Sequence, residues 1–146
     1  MNEKLKHSIL FALGTVWASP MTLIGLILGC GSLVLGARVS LSDSAIVFSR
    51  FRFFSSGALT LGQVILYTGT SLGAPAKTYH CTAFGGDDCV RIGTHEQAHV
   101  FQYMTFGIFF LLLYFLHGGI SHKNRFEQAA DRYAQMGKGW WPYASS

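Results

Sequence analysis

Charged residues are scarce in this chain of 146 residues. Asp, Glu, Lys and Arg make up 12% of it, about half of the roughly 25% that is usual in soluble domains. The formal net charge is only +4, and the basic residues form neither a run nor a basic helix. We therefore expect no nucleic-acid-binding surface. The small positive excess suits a surface beside anionic lipid headgroups instead.

Cysteines are also few, with three in the whole chain. Cys30 lies in an apolar stretch, where a cysteine is most simply a small packing residue. Cys81 and Cys89 bracket a turn-rich loop. They would form a disulfide if that loop faces an oxidising compartment, and would otherwise remain two thiols. Their spacing excludes a CxxC zinc knuckle.

Apolar residues, by contrast, make up 50% of the chain and cluster at 8–36 and 100–120. The first cluster follows Lys4 and Lys6, as the apolar part of a signal peptide would. However, the apolar sequence continues well beyond the length of such a segment, whereas polar mature sequence should follow a signal peptide. The 29 residues from 8 to 36 inclusive exceed the roughly 20 needed to cross a bilayer. We therefore expect a retained anchor within residues 1–37.

A proline divides this anchor into two halves. Pro20 follows Ser19, so it is well placed as the first residue of a new helix that Ser19 would cap. The anchor is then either one kinked helix or two short helices that meet at Ser19-Pro20. Basic residues flank both ends, so the positive-inside rule does not fix the orientation: Lys4, Lys6, Arg38, Arg50 and Arg52.

The remainder of the chain, residues 38–146, is expected to form a second unit that begins with strands. Apolar and β-branched residues at 38–54 and 58–67 predict these strands, and a Ser-Ser-Gly turn at 55–57 separates them. We expect two or three strands in a small antiparallel unit. This unit should pack on the later helices, because a bare hairpin is marginal in water. Residues 69–88 contain several glycines and predict a loop.

The residues that carry chemistry are His95-Glu96-Gln97-Ala98-His99, an HExxH motif. On a helix, residues i and i+4 share one face, so His95 and His99 can bind one tetrahedral metal ion. Glu96 projects about 100° around the helix, where it can act as the general base toward a water on that ion. The motif therefore predicts a zinc site. The alternative is a pair of helix histidines that face solvent or lipid.

The limits of this helix decide whether the site can be completed. It should begin between Asp88 and Thr94, and the earlier start keeps the first histidine inside the helix. It should run to about Phe106 and break at Gly107. An unbroken helix continuing to residue 117 would rise about 27 Å beyond the second histidine, and the next helix would begin on the far side of a bilayer. We therefore expect 108–117 to be a re-entrant or membrane-surface arm.

A third metal ligand is expected from the next helix. Catalytic zinc usually has three protein ligands and a water. The HExxHxxGxxH class is excluded, because this chain has Gln102 and Thr105 where that pattern needs Gly and His. A helix over about 123–136 offers Glu127 as the ligand and Asp131, on the same face, to hold a ligand histidine in one tautomer. The alternative is an ordinary charged helix face.

Together these residues resemble a known class of metallopeptidases. His95-Glu96-x-x-His99 followed by Glu127-x-x-x-Asp131 is similar to the gluzincins, whose second motif is of the E-x-x-x-D type. The run 126–133 is similar to the second motif of the membrane-embedded CAAX prenyl endopeptidase group. The resemblance implies a zincin-like core of two helices, a zinc cofactor and peptidase chemistry.

More of the chain resembles a group of short, uncharacterised bacterial membrane proteins. The similarity comprises a Pro-x-Thr-Leu-x-Gly-Leu anchor at 20–26, a Thr-Leu-Gly-x-Val-Ile segment at 60–65, HExxHVxQY at 95–103, and Asn-x-Phe-Glu-x-x-Ala at 124–130. This resemblance implies an integral membrane protein, most simply of the bacterial inner membrane.

The sequence thus predicts a mainly α membrane protein with a small antiparallel β unit. The leading hypothesis is a membrane-associated zinc metallopeptidase in which His95, His99 and Glu127 bind zinc and Glu96 activates the water that attacks a peptide bond. The alternative is a non-enzymatic membrane subunit or scaffold with a structural metal site. The expected partners are membrane lipid, a peptide or protein substrate, and a second membrane protein, but no nucleic acid.

Several further residues have open roles. His80 is expected to be a loop histidine rather than a ligand. Trp140, Trp141 and Tyr143 form either an interfacial aromatic anchor or a packed tail. Five side chains remain unranked as donors to a developing oxyanion: Tyr103, His117, His122, Arg125 and Tyr133.

Overall fold

The computed structural model describes residues 2–42, 44–78 and 90–144. As expected, helices predominate and a small sheet accompanies them. The helices are α1 (Glu3–Leu33), α2 (Ile92–Phe106), α3 (Phe110–Leu116) and α4 (Arg125–Met136), with a 3-10 turn, Gly107–Phe109, between α2 and α3. The strands are β1 (Arg38–Leu41), β2 (Ile46–Ser49), β3 (Ala58–Leu61), β4 (Val64–Tyr67), β5 (Pro75–Ala76) and β6 (Val90–Arg91).

The N-terminal segment is one helix of 31 residues that contains Pro20. The expected alternative of two helices capped at Ser19 is therefore wrong. Pro20 has no N–H to bond the carbonyl of Val16 four residues earlier. The hydroxyl of Ser19 donates to that carbonyl oxygen at 2.7 Å and so replaces the missing donor. This bond explains how the helix continues through a proline.

One face of α1 carries small residues and packs closely on the rest of the protein. A Cβ on Gly29 would lie 2.3 Å from the ring of Phe48, and one on Gly25 would lie 2.7 Å from Cβ of Val64. Glycine is thus required for this approach of the helix to the sheet. The buried face recurs with helical spacing: Gly14, Ala18, Met21, Gly25, Gly29 and Ser32.

The main sheet has four strands in the order β1-β2-β4-β3. β1 pairs with β2 and β3 with β4 in antiparallel fashion, whereas β2 and β4 are parallel. The expected unit of two or three antiparallel strands therefore has to be corrected. Residues 58–67 form a hairpin rather than one strand, because Gly62 turns the chain at φ +61° and Leu61 faces Val64. A two-residue loop with glycine first suits this type of hairpin.

The sheet lies between α1 and α2. On one side, Phe48, Val64 and Leu66 pack in a core cluster that includes Ala18 and Met21 of α1. On the other, a second cluster joins the sheet to α2, with the members Ala45, Val47, Ile65 and Val100. Alternate residues of the strands thus bury both faces of the sheet.

α2 ends at a glycine whose conformation reverses the chain. Gly107 has φ +56° and ψ −133°, which is unfavourable for residues with a side chain. A Cβ at this position would also lie 2.6 Å from Nε1 of Trp17 on α1. The break expected at Gly107 is therefore confirmed, and α3 and α4 can return toward the start of α2.

α4 runs antiparallel to α2. His95 near the start of α2 contacts Asp131, which lies further along α4, while Gln102 near the end of α2 bonds the carbonyl of Phe126 at the start of α4. Asn124 caps α4 by accepting from the N–H of Phe126 at 2.9 Å.

Two helical stretches, Glu3–Leu33 and Ile92–Leu116, are long and apolar enough to cross a membrane. A signal sequence near the N-terminus, or the core helix of a soluble protein, passes the same test of length and composition. Residues 3–13 of α1 are exposed on every side. Large apolar side chains are also exposed on the 3-10 turn and α3: Ile108, Phe109, Leu112, Phe115 and Leu116.

The C-terminal aromatic residues are packed against the helices. Trp141 stacks on Phe106 with 5.3 Å between ring centroids, and Tyr143 contacts His117 edge to face at 5.6 Å. The packed tail is therefore the alternative that describes the structure, and an interfacial role stays a prediction.

Four residues with predicted roles lie outside the described residues: His80, Cys81, Cys89 and the alternative helix cap Asp88.

Candidate metal centre

Three buried side chains converge where α2 and α4 pack together. Nε2 of His95 lies 3.2 Å from Nε2 of His99 and 3.2 Å from Oε2 of Glu127, and Nε2 of His99 lies 3.5 Å from Oε1 of Glu127. Tetrahedral zinc with bonds of about 2.0–2.1 Å separates its ligand atoms by about 3.3–3.4 Å. The predicted ligands are thus brought together at distances that suit one small metal ion.

The other ring nitrogen of each histidine is already bonded. Nδ1 of His95 lies 2.8 Å from Oδ1 of Asp131, and a carboxylate can only accept. Nδ1 of His99 lies 2.8 Å from Oε1 of Gln102. The amide nitrogen of Gln102 donates to two backbone carbonyls, which leaves its oxygen as the acceptor for His99.

These bonds fix the proton positions on the ring pair. Each Nδ1 carries a hydrogen that it donates outward, so each neutral ring has its lone pair on Nε2. The two Nε2 lone pairs and the Glu127 carboxylate then occupy one small, buried space, where they would repel one another. A cation, either a proton or a metal ion, must lie between them. The arrangement of donor atoms therefore fits a bound metal ion.

The Glu127 carboxylate contacts both histidines and the Tyr114 hydroxyl. Burial alone raises the pKa of this carboxyl, but the adjacent His99 and His95 side chains outweigh that effect and hold the pKa well below its usual range. The carboxyl is therefore ionised, as a metal ligand must be. The Tyr114 hydroxyl donates to its Oε1 at 2.5 Å. Asn124 bonds the backbone carbonyl of Tyr114 at 3.0 Å, which ties α3 to the start of α4.

Glu96 is buried beside the histidines and is not part of the three-residue cluster. Its Oε2 accepts from the Thr60 hydroxyl at 2.7 Å, so β3 of the sheet orients the carboxylate. Glu96, His95, His99 and Glu127 all line one cavity of about 420 Å³. The carboxylate thus has a position from which it can reach a water in this cavity, as a general base requires.

Both polar and apolar side chains line the cavity. The lining includes Thr60 and other residues of β3, and side chains of α3 and the following loop. β3 is the last strand of the sheet, so its outer edge has no strand partner among the described residues. Apolar contributions come from Leu59, Ile92, Phe110, Leu111, Phe115 and Ile120.

Tyr103 is the one residue from the unranked oxyanion candidates that lines this cavity within the described ranges. His117 instead bonds the carbonyl of Leu113 and contacts Tyr143, while Tyr133 packs its ring against Phe101.

The Thr94 hydroxyl bonds the carbonyl of Arg91 at 3.3 Å and does not form the helix cap, since α2 begins at Ile92. The first histidine therefore lies inside the helix, as expected.

Sequence reasoning missed four residues that support the site: Thr60, Thr78, Gln102 and Tyr114. Thr78 donates to Oδ2 of Asp131 at 2.7 Å, so both oxygens of that carboxylate are bonded. Of the four, only Gln102 gives a local signal, because an amide three residues after a ligand histidine shares its helix face. The other three belong to segments that are distant in sequence from their partners, so no local pattern predicts their contacts.

Comparison with protein-family models, with curated proteins and with solved structures gives no match for this chain. The geometry of the site is therefore the basis for assigning a function to this chain.

Proposed function

We propose that this chain is a membrane-associated, zinc-dependent peptidase. The observation that carries the proposal is the convergence of two histidine lone pairs and an ionised carboxylate at 3.2–3.5 Å, with both histidine tautomers fixed from behind. His95, His99 and Glu127 would hold the metal. When bound, zinc would polarise a carbonyl group and lower the pKa of a water molecule.

The division of roles within the site supports a hydrolase. Glu96 lies in the same cavity but is bonded to Thr60 rather than to the cluster, so it remains available to take a proton from the attacking water. A purely structural site would not need a further acidic group that binds neither the metal nor a ligand histidine. Asp131 and Gln102 orient the two rings, and Tyr114 orients Glu127.

The wall formed by β3 favours a peptide as the substrate. An extended peptide can add to an exposed strand edge through backbone hydrogen bonds, and the edge strand borders the cavity that holds Glu96. Apolar side chains that line the same cavity would accept an apolar residue of that peptide.

The exposed apolar surface supports a place at a membrane. Residues 3–13 of α1 are all exposed, and α3 exposes several large apolar side chains. Residues 14–32 of α1 pack on α2 and on the sheet, and open sheet edges are not stable in lipid hydrocarbon. We therefore place the first turns of α1 and the outer face of α3 in the membrane, with the sheet at its surface.

Metal content is the direct test of the proposal. Purified wild-type protein should contain about one zinc per chain, and the His95→Ala/His99→Ala double variant should contain none, because two of three ligands are lost. His7→Ala is the matched control, since His7 lies on the exposed start of α1. Full metal content in the double variant, measured by elemental analysis, would exclude this site.

A non-enzymatic subunit with a structural metal site is the second candidate. The burial of the ligands favours it, since His95, His99 and Glu127 are 4%, 7% and 6% exposed and structural sites are closed. Glu96→Gln separates the two functions. If the chain is a peptidase, this variant keeps its zinc and loses cleavage of a peptide library. If cleavage persists at the wild-type rate, Glu96 is not the base.

A further inference from the structure

Tyr103 has a feature that the metal site does not explain. Its side chain is fully buried, and within the described ranges its hydroxyl has no hydrogen-bond partner. A buried hydroxyl without a partner is unfavourable, so such groups are rare in folded proteins. Tyr103 lies four residues after His99, on the same face of α2 as the two ligands, and its ring lines the same cavity.

The neighbouring hydroxyls differ from Tyr103 because they are engaged. Three of them donate to carboxylates of the site: Thr60 to Glu96, Tyr114 to Glu127, and Thr78 to Asp131. The Tyr103 ring is fixed, since its centroid lies 4.1 Å from that of Phe110. The hydroxyl is therefore held in a fixed position, and its hydrogen remains available for a hydrogen bond to a bound molecule.

We infer that Tyr103 is a substrate-contacting residue whose hydroxyl donates a hydrogen bond to the oxygen of a carbonyl group bound beside Glu96. This inference rests on the proposed function and adds a group to it. As water attacks the carbonyl carbon, negative charge develops on that oxygen, and a donor fixed in advance stabilises it. The tyrosine keeps its own proton, and the proton of the water goes to Glu96.

Tyr103→Phe tests the inference, because it removes only the hydroxyl. The probe is acetohydroxamate, a small metal-binding compound with two oxygens, titrated into zinc-loaded protein by calorimetry. We expect the variant to retain its zinc and to bind the probe about tenfold or more weakly, as expected for loss of a hydrogen bond to a charged group. Tyr133→Phe is the matched control, and it should bind the probe as the wild type does.

A second measurement separates this role from a structural one. Because the hydroxyl has no partner in the free protein, metal-free Tyr103→Phe should unfold at the same temperature as the wild type or a higher one. A marked loss of stability would show that the hydroxyl has an internal partner and would overturn the inference.

The possible failures are distinguishable. Unchanged probe affinity in a zinc-loaded Tyr103→Phe protein contradicts the role of Tyr103 and leaves the metal site intact. A wild-type protein that binds no zinc contradicts the proposed function, and the role of Tyr103 falls with it.

Discussion

At the scale of single residues, the site depends on groups that never touch the metal position. Asp131 and Gln102 each accept a hydrogen from Nδ1 of one ligand histidine. Each bond selects the tautomer that leaves Nε2 free and also fixes the angle of the ring. Such outer partners orient the ligand rings and raise the basicity of the nitrogen that faces the metal.

We therefore predict that Asp131→Ala and Gln102→Ala weaken zinc binding by about 10–100-fold without abolishing it. The affinity can be measured by competition with a chelator of known strength. Gln97→Ala is the control on the same helix, because the Gln97 side chain contacts Ser44 rather than the site. Equal affinity in all three variants would mean that the rings are oriented by packing alone.

The residues that support the candidate site differ in whether their roles can be predicted from the sequence. Asp131 could be predicted, because it lies four residues after Glu127 in a recognisable pattern. Gln102 was used only to exclude another class of metallopeptidase, although its amide determines the tautomer of His99. Thr60 and Tyr114 could not be predicted, since their contacts with Glu96 and Glu127 depend on the packing of β3 and α3, and that packing has no local pattern.

At the scale of elements, the return of the chain at Gly107 brings the two halves of the candidate metal site together. The glycine is needed twice, for its positive φ and for the close approach of Trp17. The sequence indicated the break, because glycine is the residue that most readily adopts such a conformation. It did not indicate the contact with Trp17, which lies ninety positions earlier, at residue 17 as against 107.

We predict that Gly107→Ala lowers the free energy of unfolding by roughly 1–3 kcal/mol, from backbone strain and the clash with Trp17. Zinc affinity should fall as well, because α4 carries Glu127 and would be displaced. Gly31→Ala is the control, since a Cβ there meets no heavy atom within 4 Å and alanine favours a helix. Chemical unfolding with and without zinc measures both effects, and an unchanged Gly107→Ala protein would refute the strain argument.

The sheet marks a limit of sequence reasoning at this scale. Alternation of apolar residues predicts strands where β1 to β4 lie, but it predicts 58–67 as one strand and 69–88 as a loop, where the structure has β5. Gly62 was the available sign of a turn. No local sequence pattern predicts the parallel pairing of β2 with β4, because the order of the strands depends on how the whole sheet packs between α1 and α2.

At the scale of the whole molecule, the chain turns back at Gly107 and α4 packs antiparallel to α2, so the segment between the two helices does not have to cross a bilayer. If the chain binds a membrane as proposed, Thr94→Cys and His122→Cys should be labelled from the same side of sealed vesicles, each in a background without other cysteines. Labelling after permeabilisation gives the full signal for each position. Opposite sidedness would require 95–121 to cross the membrane, and Glu127 could then not join His95 and His99 within one chain.

The bond between Ser19 and the carbonyl of Val16 also constrains the order in which this helix can change during evolution. While Pro20 is present, losing the Ser19 hydroxyl leaves the carbonyl of Val16 without a donor from the protein, which is unfavourable wherever water does not reach it. Once Pro20 is replaced by a residue with an N–H, the helix supplies the donor itself and Ser19 becomes free to vary. Among descendants of this sequence, the serine should therefore disappear only after the proline has been lost.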